Sequence, residues 1–332
     1  MYSVETRSLV KSFKDVTAVN DVSFYVEQGE IFGFLGPNGA GKSTTMMILT
    51  TLLKPTSGQA LINGYDVSIN PKDVRENIGY VQQESTVDEY LTGRENLILQ
   101  AKLNHIPKNQ IDSRIDEVLE LIELTEKQNE PVVTYSGGMR KRLDIAGGLL
   151  HRPKVLFLDE PTVGLDIQTR RKIWEYIKKI HDEFEMTIFL TTHYMEEADQ
   201  LCDRIGIIDG GKIQVIDSPQ NMKNSMGNEV ISIILNDEKQ TREFIDYISK
   251  ISNVKNVKSD GVKITVFVSS GTEVLPKIFE FSSSNGIKIN SISLTQPTLD
   301  DVFISYTGHE IRDDDTKFNR RREHAKMKRL RS

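Results

Sequence analysis

A lysine followed by two hydroxyl residues closes a glycine-rich stretch, Gly36-Pro37-Asn38-Gly39-Ala40-Gly41-Lys42-Ser43-Thr44. The spacing G-x-x-x-x-G-K-[ST] suits a loop that wraps phosphate oxygens in backbone N–H groups. Glycine permits φ > 0 with no Cβ in the way. The helix that should follow adds partial positive charge at its N-terminus. Lys42 is spaced to reach the β- and γ-phosphates, and the Ser43 hydroxyl to ligate Mg²⁺. A carboxylate pair, Asp159-Glu160, follows the apolar run Val155-Leu156-Phe157-Leu158. Strand carboxyl ends of a parallel sheet face the ligand crevice. Asp159 there suits the Mg²⁺ shell, and Glu160 suits a base that polarises water for attack on phosphorus. His193 ends a second such run and is placed for a γ-phosphate contact. Gln83 follows Ile78-Gly79-Tyr80-Val81. Its amide suits sensing of Mg²⁺ and the attacking water, although by residue type alone it is an ordinary loop amide.

A second anion site is written at Tyr135-Ser136-Gly137-Gly138-Met139. Ser136 is a good helix cap, and Gly137 and Gly138 leave the first N–H groups uncovered. It lies far along the chain from the P-loop. A single copy need not bring the two together, whereas a head-to-tail dimer would set Ser136 on a γ-phosphate held by the other subunit.

The elements that must position these groups are legible in outline. Val16–Val19 and Val22–Val26 read as early strands, with Asn20-Asp21 as a turn between them. Ile31–Leu35 reads as a buried strand, Ser43–Leu53 as the helix after the P-loop, and Ala60–Ile62 and Ile78–Val81 as further strands. Between about 92 and 152 the period becomes helical. Helices are predicted over Gly93–Asn104, around Ile111, Ile115, Val118, Leu119 and Ile122, and over Met139–Arg152. Val155–Leu158 and Ile188–Leu190 lack alternation, as parallel strands covered on both faces do. Ile167–Phe184 reads as a helix in which Trp174 packs. Asp209-Gly210-Gly211 marks a hairpin. Beyond Ser218–Asn228 the order is strand, helix, strand, strand, helix, strand, a ferredoxin-like sandwich. The expected fold class is α/β: a P-loop NTPase core with a mainly parallel sheet, an N-terminal antiparallel β subdomain, an inserted helical subdomain and a small C-terminal α+β domain. The domain limits expected are 1–218, 219–310, and a tail at 311–332 whose charge predicts disorder.

Composition narrows the function. The chain has 332 residues and a net charge of −6. Residues 317–332 carry +7, leaving −13 on the remainder. An acidic body argues against a broad nucleic-acid surface, and no nucleic acid is expected as a partner. The basic tail suits anionic lipid. No apolar run approaches the ~18 residues that span a bilayer. The start of the chain has no secretory pattern, so a cytoplasmic protein is expected. The one cysteine, Cys202, offers neither a disulfide framework nor a metal spacing.

Taken together these stretches resemble the nucleotide-binding subunits of ATP-binding cassette (ABC) transporters over roughly residues 3–217. The resemblance rests on the P-loop, Gln83, the signature Tyr135–Met139, the run Val155–Glu160, the D-loop Gly164-Leu165-Asp166 and the switch His193. It implies that Phe13 stacks on adenine; by residue type alone Phe13 suits core packing equally. More narrowly, Ser136–Leu143 and Pro297-Thr298-Leu299-Asp300-Asp301-Val302-Phe303 are similar to the daunorubicin-resistance type of exporter ATPase. Tyr135 and Met139 depart from the general Leu and Gln of the signature. The resemblance implies ATP and Mg²⁺ as cofactors, a dimer with itself or a paralogue, a separate membrane permease, and a place on the cytoplasmic face of the membrane. A soluble cassette ATPase acting on ribosomes or DNA is the alternative, and the single cassette without sustained heptads argues against it. A nucleotide-binding regulator without turnover is opposed by the joint presence of Glu160 and His193.

Overall fold

The computed structural model describes residues 2–14, 16–237 and 240–309. The chain divides into two compact units between Ile216 and Asp217. The basic stretch 317–332 lies outside the described residues.

The first unit carries two sheets. One is antiparallel, in the order β2-β1-β4-β5, built from β1 (Val4–Phe13), β2 (Val16–Val26), β4 (Ser57–Ile62) and β5 (Tyr65–Asp66). β2 is one continuous strand where two were expected. Asp21 adopts φ 57°, and the β1–β2 register shifts nearby, between Leu9 and Lys11. Asn20-Asp21 is thus an irregularity inside a strand and not a turn. The second sheet has the order β10-β9-β3-β8-β7-β6, with β3 (Ile31–Leu35), β6 (Ile78–Val81), β7 (Val155–Asp159), β8 (Thr187–Thr192), β9 (Arg204–Asp209) and β10 (Lys212–Asp217). Its pairs β3/β8, β3/β9, β6/β7 and β7/β8 are parallel. Every residue of β3, β7 and β8 is buried, which is why their sequences show no alternation. Phe24, Phe32, Phe34, Phe157 and Phe189 stack in the core between the sheets at centroid distances of 5.4–5.8 Å. Gly210 (φ 54°) and Gly211 (φ 77°) turn the β9–β10 hairpin, both in the conformation a two-residue hairpin loop requires.

The helix after the P-loop, α1, covers Lys42–Leu49 and stops four residues short of the expected end. Thr51 takes φ 65°, which no helix continues through. After α2 (Pro71–Asn77) and β6 comes the helical block: α3 (Gly93–Leu103), α4 (Lys108–Leu121) and α5 (Gly137–Leu149). Thr92 and Glu95 form a reciprocal capping box on α3. α5 begins at Gly137 and not at Met139, because the Ser136 hydroxyl accepts from Met139 N at 3.2 Å and fixes Ser136 as the cap. α6 covers Ile167–Phe184 as expected, capped by Asp166, and α7 covers Met195–Leu201.

The second unit has a four-stranded antiparallel sheet in the order β12-β13-β11-β14, from β11 (Glu229–Leu235), β12 (Val254–Asp260), β13 (Lys263–Val268) and β14 (Ile289–Thr295). α9 (Thr241–Ile248) and α10 (Gly271–Ser284) supply the two crossovers of the ferredoxin-like pattern. Their apolar side chains, Phe244, Ile248, Val274 and Ile278, share a core with Ile231, Ile233, Ile264 and Val266. Two short helices flank this frame. α8 (Pro219–Met226) falls in the boundary stretch Ser218–Asn228, and α11 (Leu299–Thr307) opens on a Thr298–Asp301 capping box.

Candidate functional site

The P-loop runs from the carboxyl end of β3 to the N-terminus of α1 and is held from behind by backbone alone. Gly211 N donates to Ala40 O at 3.1 Å, and Asn20 N to Gly211 O at 2.8 Å. Gly41 has φ 104°, and a Cβ on it would lie 2.4 Å from Ala18 O. A Cβ on Gly36 would lie 2.2 Å from Ile208 O. Such distances exclude any side chain, so Gly36 is required by space and Gly41 by space and by conformation.

Lys42 is 4% exposed. Its ammonium donates to Gly36 O at 2.8 Å and Pro37 O at 3.1 Å, and lies 3.2 Å from Glu160 Oε1. Burial lowers its pKa, against the pull of Glu160 and Asp159. Asp159 ends β7. Its Oδ1 accepts from Thr191 Oγ1 at 2.6 Å and from Ser43 Oγ at 3.3 Å. Burial raises the Asp159 carboxyl above its ordinary value, and the Thr191 hydroxyl opposes that rise. Glu160 sits at φ 45°, a rare conformation for a side-chain-bearing residue, held because its N–H donates both to Thr191 O and to Thr191 Oγ1 at 3.1 Å. Glu160 Oε2 lies 3.2 Å from His193 Nδ1. That nitrogen has no aligned hydrogen-bond partner. Burial opposes ionisation of Glu160, but His193 and Lys42 together outweigh it and hold the carboxyl below its ordinary value. An ionised, buried carboxylate with a histidine beside it is competent to accept a proton from water.

Gln83 stands apart from this cluster. Its side chain is exposed beyond β6, and its backbone carbonyl accepts from Lys141 Nζ at 3.3 Å. The same ammonium donates to Gln82 O at 2.7 Å, and Asp144 accepts from Thr86 N and Oγ1 at 3.0 and 2.9 Å. Gln83's loop is thus fastened to α5. Ser136 and Gly137 are exposed, and Gly138 is buried where a Cβ would lie 2.4 Å from Thr169 Cγ2. Phe13 is 44% exposed at the end of β1, which removes the core-packing reading, and Lys11 Nζ stands 5.1 Å from its ring centroid.

Sequence reading missed Thr191, whose hydroxyl organises both acids, and the buried pair Lys141 and Asp144. A threonine in a buried strand gives no signal of its own. A Lys and an Asp on the apolar side of an amphipathic helix do give one.

Mg²⁺ is tested by the donor set. Ser43 Oγ and Asp159 Oδ1 offer a hydroxyl and a carboxylate oxygen side by side, which suits a hard ion that keeps waters and substrate phosphates as its other ligands. Among the described residues no three His, Cys, Asp or Glu side chains converge on a metal position. A Mg²⁺ carried largely by phosphates needs no such group.

A parallel sheet with a P-loop after β3, a carboxylate pair at the end of β7 (one strand over, beyond β8) and a capped glycine helix defines a nucleotide-hydrolysing cassette. Residues 19–163 match the family model "ABC transporter", and residues 218–307 match "ATP-binding protein DrrA1-3-like, C-terminal domain". The daunorubicin/doxorubicin resistance ATP-binding protein DrrA of Streptomyces peucetius is 37% identical over 95% of this chain and 95% of its own length. The linearmycin resistance ATP-binding protein LnrL of Bacillus subtilis is 34% identical over 93% of this chain and 100% of its own. Among solved structures, the dimeric post-hydrolysis cassette MJ0796 bound to ADP and Pi is similar at TM-score 0.59 and 28% identity, over 65% of this chain and 98% of that one. CbiO1 of Clostridium perfringens, part of the transporter complex cbiONQ, is similar at TM-score 0.63 and 26% identity, over 74% and 95%. The chain belongs to the ABC transporter ATP-binding proteins, in the group of the DrrA-type resistance proteins. It is an ATPase, the ATP-hydrolysing subunit of an ABC-type exporter, and a soluble cassette acting on ribosomes or DNA is not favoured.

Proposed function

We propose that this ATPase works as a head-to-tail dimer in which each P-loop site is completed by the other copy's Ser136, and that it drives export of antibiotic-like cargo through a separate permease. One observation carries the dimer. Ser136 is exposed and its hydroxyl caps α5, while Lys42, Glu160 and His193 gather elsewhere, and no contact joins Ser136 to them among the described residues. The dimeric relatives and the antibiotic names borne by others support the two halves of the reading.

In this reading Gly36, Pro37, Asn38, Gly39, Ala40, Gly41 and Thr44 cradle the phosphates through backbone N–H groups, and Lys42 neutralises the β/γ oxygens. Phe13 stacks on adenine. Ser43 and Asp159 hold Mg²⁺, with Gln83 reaching it from its loop. When bound, Mg²⁺ offsets charge on the phosphate oxygens. Glu160 takes the proton of the attacking water, and His193 stands on its other oxygen to fix its direction and contact the γ-phosphate. Ser136, Gly137 and Gly138 bind that phosphate from the partner copy, so hydrolysis loosens the pair.

The permease is a protein partner on the helical block. Tyr90, Leu99 and Leu103 are exposed at or just before α3, and Leu52, exposed after α1, borders a groove also lined by Tyr80, Val87, Leu97 and His151. None of the described helices is long and apolar enough to cross a membrane, which fits a peripheral subunit on the cytoplasmic face. Residues 1–218 form the ATPase domain and 219–310 an accessory domain for assembly, and the +7 stretch 317–332 meets anionic lipid.

Phosphate release with Mg-ATP, repeated in EDTA and with Ser136→Arg, tests the reading. Release that stops in EDTA and falls to background with Ser136→Arg, while each monomer still binds ATP, supports it. Parental turnover by Ser136→Arg would overturn the trans site. Flotation on anionic vesicles with and without residues 317–332 tests the lipid contact, and equal binding would remove it.

A further inference from the structure

Glu197 is a charged residue type with no role in the site described, yet it is 0% exposed, on the inner side of α7. A carboxyl group that deep must be hydrogen-bonded or it destabilises the fold. Its Oε1 accepts from Thr162 Oγ1 at 2.7 Å and from Trp174 Nε1 at 2.9 Å. Each partner belongs to a different working segment. Thr162 lies two residues beyond Glu160. Trp174 lies on α6, the helix that Asp166 of the D-loop caps. Glu197 itself lies four residues beyond His193. A second contact ties the same two helices: the Arg170 guanidinium of α6 lies 3.8 Å from the ring centroid of Tyr194, whose ring is 4.2 Å from that of His193.

We infer that Glu197 is a positioning residue for hydrolysis: its carboxyl staples the segment bearing Glu160 to the segment bearing His193, and ties both to the D-loop helix. The two site residues meet at 3.2 Å across an unaligned contact, which cannot by itself fix the distance. The β7–β8 ladder reaches Glu160, whose N–H donates to Thr191 O, but it ends there, two residues short of His193. The staple continues the tie past the end of that ladder, from Thr162 to the helix that follows His193. A displacement of about 1 Å at a reacting group can cost on the order of a hundredfold in rate, so a buried staple of this kind bears on turnover without touching substrate. The inference rests on the reading of Glu160 and His193 as the hydrolytic pair.

The test uses the full chain. Glu197→Gln keeps an acceptor oxygen of the same reach and is expected to hold turnover within about threefold of the parent. Glu197→Ala is expected to lower kcat by about tenfold or more while the dissociation constant for ATP stays within about twofold. Trp174 is the only tryptophan, so its emission reports the contact directly. It should shift in the Ala variant and stay near the parent in the Gln variant. Thr162→Val and Trp174→Phe, which each remove one donor, should lower kcat to intermediate values and decide the matter if the Ala variant does not fold. Parental kcat in a folded Glu197→Ala protein overturns the inference. So does equal damage by Gln and Ala, or loss of kcat and ATP affinity together in step with melting temperature. In the backup pair, parental kcat in both overturns it. Failure of the underlying reading looks different, since Glu160→Gln would then itself hydrolyse at the parental rate.

Discussion

Lys42 and Glu160 form an ion pair at 3.2 Å in which both side chains are almost wholly buried. Breaking a buried pair from one side leaves the other charge uncompensated. Glu160→Gln keeps the shape and leaves Oε1 as an acceptor toward Lys42, but its amide cannot take a proton from water. ATP binding should persist and turnover fall by a factor of about 10² to 10⁴. With hydrolysis stopped, size-exclusion chromatography with Mg-ATP should show a stable dimer. A monomer that still binds ATP would count against the two-site arrangement.

Phe13 is partly exposed at a strand end and fills no core. Its replacement by Ala should change stability by no more than about 0.5 kcal/mol, as surface substitutions generally do. If the ring stacks on adenine, ATP affinity should fall by about 1–2 kcal/mol, near the worth of one stacked aromatic. Isothermal titration with ATP and with inorganic triphosphate separates the cases, because only ATP should bind more weakly.

Gly138 packs where a Cβ would meet Thr169 at 2.4 Å. Gly138→Ala must push the N-termini of α5 and α6 apart, at an overpacking cost of about 1–3 kcal/mol. Chemical denaturation should read that cost. Because Ser136 and Asp166 cap those two helices, the ATP-dependent dimer should weaken further than stability alone explains. Gly138→Ala combined with Thr169→Ser, which removes the obstructing methyl, should recover most of both losses.

His151 gives a pH dependence with a definite sign. Burial lowers its pKa, the Ile78 carbonyl 2.8 Å from Nε2 partly opposes this, and Arg114 adds to the lowering. Below about pH 6.5 the unfolded chain therefore binds a proton that the folded chain resists. The stability due to neutral His151 is complete above that value and is lost as pH falls through the lower folded value. The melting temperature of the parent should fall more steeply between pH 7 and pH 5 than that of His151→Gln. Parallel curves would show that His151 does not titrate differently in the fold.

The chemistry was more legible than its support. The P-loop, Asp159-Glu160 and Ser136 announce themselves because each is a short run whose residue types serve one local task. The fully buried strands were legible for the same reason, since an unbroken apolar run has few other places to go. Support of low local contrast was not. β1 carries Glu5, Arg7, Ser8 and Lys11 among Val4, Leu9 and Val10, and strand pairing overrides that polarity. α8, in the boundary stretch Ser218–Asn228, gave no helical signal because five of its eight residues are polar and only Pro219 and Met222 are buried. Gln83 was placed by its distance from β6, but its direction depends on Lys141 and Thr86, and sequence spacing does not encode that. Trp174 was read as packing; it is buried, and its N–H also serves Glu197.

The P-loop's outer wall is a crossing of three backbones: Ala40-Gly41 of the loop, Ala18 of β2 and Gly211 of the β9–β10 hairpin. No side chain intervenes. The motif is therefore not portable. A strand, loop and helix moved as one cassette into another scaffold would carry every residue of the phosphate pattern and still lack the wall against which the loop takes its shape. The information for that shape is spread over stretches nearly two hundred residues apart, and only one of the three lies in the pattern that a search for phosphate binders would score.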